Sequence, residues 1–203
     1  MPLKFANNQS LTGTTALPAA IPTDNLILIS TQTASASATI SFTTGLNSTY
    51  DEYIFKFIDI HPATDNVSFQ FNMSTDSGSN YNVTKTTTAF NAQHDEADTD
   101  TDLNYLTSQD LAQSTGFQTL MLGIGNGADE NGAGTLQIFN PSSTTYVKHF
   151  ISRMSYYYQA NYIFDFYTAG YGNTTSAVNA IRFQMSSGNI DDGIIKMYGV
   201  KKS

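Results

Sequence analysis

Along most of the chain, hydrophobic and polar residues alternate with a period of two. The clearest stretch is NVSFQFNMST, residues 66–75, in which Val67, Phe69, Phe71 and Met73 fall on one side and Ser68, Gln70, Asn72 and Ser74 on the other. Such alternation is what a strand with one buried face requires, because successive side chains point to opposite faces. YDEYIFKFIDI, residues 50–60, sets Tyr53, Phe55 and Phe57 on one side, with Ile54, Ile58 and Ile60 on the other. Further strands are predicted within 25–31, 38–44, 81–90, 117–125, 134–140, 144–159, 161–170, 176–187 and 193–202. Turn chemistry separates them: DSGSN at 76–80, a Gly-rich hairpin loop NGADENG at 126–132, and SSGNIDDG at 186–193. Residues 91–115 carry the least pattern, and SQDLAQS at 108–114 predicts a short helical turn capped by Ser108.

About ten short strands with no long helix and no repeat of 20–50 residues predict an all-β protein, an antiparallel two-sheet β-sandwich of jelly-roll type. With 203 residues, one such domain over 25–203 is the expectation. Residues 1–24 lack a period and contain Pro2, Pro18 and Pro22, which predicts an extended N-terminal arm laid against a neighbour.

The stretch RMSYYYQANYIFDFYTAGYG, residues 153–172, then changes the picture. Tyr162, Phe164 and Phe166 share one face of their strand, and Ile163, Asp165 and Tyr167 the other. In the preceding strand Phe150, Met154, Tyr156 and Tyr158 alternate against Ile151, Arg153 and Tyr157. A sheet with one solvated face needs only one apolar side. One aromatic set fills a core; the other is surplus. Tyrosine suits a buried contact surface, offering ring area plus a hydroxyl. Tyr156, Tyr157, Tyr158, Tyr162 and Tyr167 are therefore the candidate subunit or partner contacts, with sugar stacking as the second use. Sugar platforms lean on Trp, and the chain has none.

Composition narrows the partners. Charged residues make up 13%, against about 25% in ordinary domains, and the net charge is −8 with nine Lys and Arg in total. Scattered, scarce cations exclude a nucleic-acid surface, which needs clustered basic groups to displace counterions. There is no cysteine, so no disulfide, thiolate metal site or Cys nucleophile. No apolar run reaches the ~20 residues of a membrane helix, so membrane insertion is not expected. The N-terminal stretch lacks a signal-peptide core, which places synthesis in the cytosol. The sequons at Asn8, Asn47, Asn66, Asn72, Asn82 and Asn173 then reflect Asn, Ser and Thr richness.

Three features bear on chemistry. HDEADTDTD, residues 94–102, spaces Asp98, Asp100 and Asp102 at alternate positions, and oxygen ligands so placed can grip Ca²⁺. The EF-hand pattern fails, with Leu103 where its glycine belongs, and a solvated acidic loop is the competing reading. GIGNGADENGAG, residues 123–134, lacks the lysine of a phosphate loop and leads into a strand, so it reads as a loop tip. His61, His94 and His149 have no metal-ligand spacing, and no G-x-S-x-G occurs. No cofactor and no enzyme activity are expected.

Several long segments carry a resemblance. They are LISTQTASASATISFTTG (28–45), the run from Ser48 to Phe90, LAQSTGFQ (111–118), YVKHFIS (146–152) and the run from Gly170 to Lys202. In these the chain resembles a family of small structural proteins of marine tailed bacteriophages. The resemblance implies a non-enzymatic β-sandwich virion protein on the particle exterior, either a head-decoration protein or the knob of a short tail appendage. Its partners would be copies of itself in a homotrimer and other virion proteins. The alternative is a carbohydrate-binding receptor-recognition module of a tail fibre, meeting a host surface glycan. No catalytic residue carries over, because the segments are not functional motifs.

Overall fold

The structure, a computed structural model, describes residues 25–202; the N-terminal arm expected at 1–24 lies outside them. The described residues form twelve β-strands and no helix. They are β1 (Leu26–Ser37), β2 (Ile40–Phe42), β3 (Glu52–Pro62), β4 (Val67–Ser74), β5 (Lys85–Asp95) and β6 (Thr101–Tyr105). After these come β7 (Gln118–Ile124), β8 (Gly132–Phe139), β9 (Lys148–Tyr158), β10 (Tyr162–Gly172), β11 (Ala180–Met185) and β12 (Ile190–Val200).

Every strand pair is antiparallel. One run follows the order β1–β12–β3–β8–β9–β10–β5–β6. A second follows β7–β4–β11–β2. The two meet at a single residue pair, Ile124 with Tyr158, which joins all twelve strands into one nearly closed, barrel-like sheet. The interior fills with the alternating residues. Phe183 of β11 is the hub, touching the rings of Phe42, Phe55, Phe57, Phe69 and Phe71. Phe57 meets Phe69 edge-on at 5.4 Å, and Phe71 meets Phe150 edge-on at 5.1 Å, so rings from the two runs interlock. Each buried ring contributes about 1.5–3 kcal/mol by leaving water, and edge-to-face geometry adds to that.

Three local expectations change. Residues 91–105 are not patternless: β5 continues to Asp95 and returns as β6, with Phe90 opposite Tyr105 and His94 opposite Thr101. β7 and β8 do not form a hairpin across NGADENG. β10 occupies one edge of β9 along its whole length, so β7 and β8 follow one another along the other edge, at Tyr158 and then from Tyr156 to Phe150. Gly123 makes this close: it sits at φ +62 against the Tyr158 ring, where a Cβ would collide. The 108–114 segment makes a single hydrogen-bonded turn, from Gln109 N–H to the Leu106 carbonyl, and not a helix. It is held against β5 by backbone bonds, Thr87 N–H to the Leu111 carbonyl and a reciprocal pair between Lys85 and Ser114, and by side chains: Gln118 donates to the Gln109 carbonyl at 2.9 Å, and Leu111 N–H donates to Thr87 Oγ1 at 2.8 Å.

The interior also holds two lysines. Lys85 and Lys148 begin their strands on either side of Gly172, which pairs with both, and both are fully buried. Lys85 Nζ donates to Asn72 Oδ1 at 2.5 Å and to the Val83 carbonyl at 2.8 Å. Lys148 Nζ donates to the Tyr146 and Thr174 carbonyls at 2.6 and 3.1 Å. Burial pushes the Lys85 amine down to about 7, and lowers Lys148 likewise.

Candidate functional surface

The register decides which aromatic set is spare. On β9 the residues Phe150, Ser152, Met154 and Tyr156 are buried while His149, Ile151, Arg153 and Ser155 are exposed. On β10 Phe164, Phe166 and Thr168 are buried, and Ile163, Asp165 and Tyr167 face outward. On β5 the outward residues are Thr88, Phe90, Ala92 and His94. β6 adds Leu103 opposite Ala92 and Tyr105 opposite Phe90, exposed by 70% and 57%.

The five tyrosines singled out from the sequence therefore divide. Tyr156 lies in the core, 2% exposed, and is not available to a partner. Its hydroxyl donates to the Leu122 carbonyl at 2.9 Å and accepts from Leu122 N–H at 2.8 Å, and burial pushes its pKa well up. Tyr158 and Tyr162 are half-buried against the core: Tyr158 stacks on Phe164 at 4.5 Å, and Tyr162 meets both rings edge-on. Tyr157 and Tyr167 lie on the outer face. Partial desolvation, then the nearby Glu96 carboxylate, raises the Tyr157 pKa.

The outer face is ordered by its own contacts. Tyr167 stacks on Phe90, and the Arg153 guanidinium lies 5.2 Å from the Tyr167 ring centroid. Arg153 also grips Asp165 with two bonds, Nε at 3.0 Å and Nη2 at 2.8 Å. That pairing lowers the Asp165 pKa and raises that of Arg153. Around these lie Ile151, Ile163, Leu103 and Tyr105, all exposed. Sequence reasoning missed Phe90, midway along β5, and Leu103 and Tyr105, whose alternation with Asp102 and Asn104 spans only the five residues of β6.

The acidic segment forms the β5–β6 turn. Asp95, and not the three aspartates singled out, organises it: its carboxylate accepts from Thr99 N–H and Asp100 N–H, each at 2.8 Å, and from the Thr99 hydroxyl at 2.5 Å. Those bonds, the Thr99 hydroxyl first, hold its pKa down at about 2. Asp98 turns to His94 at 3.1 Å, Asp100 accepts from Gln93 Nε2 at 3.0 Å, and Asp102 accepts from the backbone N–H of Leu103 at 2.8 Å. Among the described residues, no group of three or more acidic or histidine side chains is placed to hold a metal ion. The three histidines are dispersed among unrelated partners: His61 at the Gly127 carbonyl, His94 at Asp98, His149 against Tyr171. Among the described residues no helix is long and apolar enough to cross a membrane.

Neither a protein-family model, nor a curated protein, nor a solved structure matches the chain.

Proposed function

We propose that the protein is a non-enzymatic structural component of a bacteriophage particle, displayed on its exterior as a head-decoration protein or the knob of a short appendage. It works by assembling with copies of itself, as a homotrimer, and with other virion proteins. One observation carries the reading: the outer face of β5, β6, β9 and β10 presents Phe90, Leu103, Tyr105, Ile151, Ile163 and Tyr167 together, although the interior is already filled with rings. A contiguous apolar face of this kind is rare on a solitary soluble protein and marks a contact surface. Aromatic anchors with one bidentate Arg–Asp pair match the make-up of an interface core. We read the two strand runs as the two layers of a jelly-roll sandwich, which the ring contacts between β3 and β11 and between β4 and β9 support.

The test is the solution mass of the full-length chain, by light scattering over a concentration series, beside antibody labelling of intact particles. A trimer that labels the particle exterior is the expected result. A monomer at every concentration removes the assembly reading, and particles that never bind the antibody remove the virion one.

A further inference from the structure

We infer that the end of this outer face nearest His149 is a binding site for a single uncharged sugar ring, as would be found at the end of a surface glycan. It deepens the glycan-recognition alternative raised by the sequence, and it adjoins the apolar patch proposed for assembly, sharing Ile151 with it.

A depression of about 560 Å³ opens where β5, β9 and β10 run past the end of β8. That is within the range of about 300–1,000 Å³ that small-ligand sites span. Its floor is low because β10 places Ala169 between the bulkier Tyr167 and Tyr171. Phe139, Ile151 and the Tyr171 ring give it apolar sides, and His149 lies beside Tyr171 with ring centroids 6.0 Å apart. Thr88, directly across from Ala169, adds a hydroxyl.

What distinguishes this hollow from the patch is its uncommitted polar groups. Among the described residues, neither the His149 ring nor the hydroxyls of Tyr171 and Thr88 have a hydrogen-bond partner, whereas Thr86 on the same rim is already taken by Gln113. Among the described residues no Asp, Glu, Lys or Arg lines the hollow. The ligand must therefore offer an apolar face to the rings and several hydrogen-bonding groups at its edge. A purely apolar ligand would strip water from three polar groups and return nothing; a charged one would lose hydration without a counter-charge. A pyranose meets both demands: its C–H face lies on an aromatic ring, and its hydroxyls both donate and accept. A site this open holds one ring weakly, and strength would come from several copies acting together.

The experiment is an NMR titration of the full-length protein with four probes: the methyl α-glycosides of glucose, galactose and mannose, and N,N′-diacetylchitobiose. The signals followed are the His149 ring, the Ala169 methyl and the Tyr171 ring. Saturable shifts confined to these residues with at least one probe are expected. Ala169→Met, which raises the floor, and Tyr171→Ala, which removes the stacking ring, should each weaken binding by about tenfold or more. Asp65→Asn, in the loop after β3 and outside the hollow, should leave it unchanged. Should Tyr171→Ala fail to fold, Thr88→Val serves in its place, removing a hydroxyl from the surface. Absence of shifts with all four probes overturns the proposal. So does binding that survives both Ala169→Met and the second variant, or shifts that map elsewhere. Oligomer mass read on the same samples is an independent result, so loss of assembly and loss of sugar binding are told apart.

Discussion

Tyr167 lies flat on Phe90, with ring centroids 4.8 Å apart and planes 4° from parallel. They are direct cross-strand partners, Tyr167 also pairs with Arg153, and Phe90 pairs with Tyr105. One register line thus carries a cation and three rings across four adjacent strands on the outer face. Cross-strand aromatic pairs contribute about 0.5–1.5 kcal/mol beyond their buried area, so this row both stiffens the sheet and shapes what it presents.

The assembly prediction follows from that row. Tyr167→Asp, or Leu103→Asp beside it, puts a carboxylate into the proposed contact, where burial without a partner is costly. The expected outcome is a shift of the solution mass from oligomer to monomer, with the far-ultraviolet circular dichroism of the sheet retained. Asp65→Asn, far from the row, leaves the mass as it was.

Lys85 gives a pH prediction. Its folded pKa, about 7, lies below the ordinary 10.5, so between those values the unfolded chain binds more protons than the folded one. Stability therefore rises from about pH 7 toward pH 10.5, and below about 7 the full cost of burying the cation is present. That cost is on the order of a few kcal/mol. Lys85→Met should flatten the slope of unfolding free energy between pH 7 and 9, read by urea denaturation, and a residual slope in the same direction is expected from Lys148.

Tyr156→Phe removes one oxygen and strands two backbone groups of Leu122 inside the protein. A loss of about 1–3 kcal/mol in unfolding free energy is expected. Tyr157→Phe, whose hydroxyl donates to Asn161 at 3.0 Å on the exposed face, should change stability by less than about 0.5 kcal/mol.

The acidic turn yields a paired prediction. The unaltered protein should have the same melting temperature with calcium and with chelator, since the Asp98, Asp100 and Asp102 carboxylates have separate partners, and changing all three to Asn should leave that result as it was. Asp95→Asn should speed amide exchange at Thr99 and Asp100. In the unaltered protein, the anchoring by Asp95 is complete above its ordinary carboxylate value near 3.8 and fades as the pH falls through about 2.

Much of this was legible in the alternation. Val67, Phe69, Phe71 and Met73 are all buried, as their spacing demands. Lys85 lies on the same side of its strand as Val83, Thr87 and Ala89, but nothing in the alternation marked it as interior. A lysine in a strand is ordinarily solvated, and only Asn72 and the Val83 carbonyl make the interior tolerable. β6 escaped because its five residues are held by pairing to β5 and not by a buried face. The 126–132 segment resembled a hairpin because its turn chemistry is local, whereas the choice of β9 as the shared neighbour depends on residues some thirty positions away. Both sides of β9 and β10 look aromatic in sequence; the pairing of Tyr156 with the Leu122 backbone settles which side turns inward.

The position of β12 sets a timetable for the chain. It lies between β1 and β3, and among the described residues β1 has no other strand partner. A ribosome must therefore release some 160 residues after β1 before that strand finds its neighbour. Meanwhile LILISTQTASAS waits without a single charge, open to pairing with the wrong chain. Cutting the chain before Ile190 would cost two strands, not one.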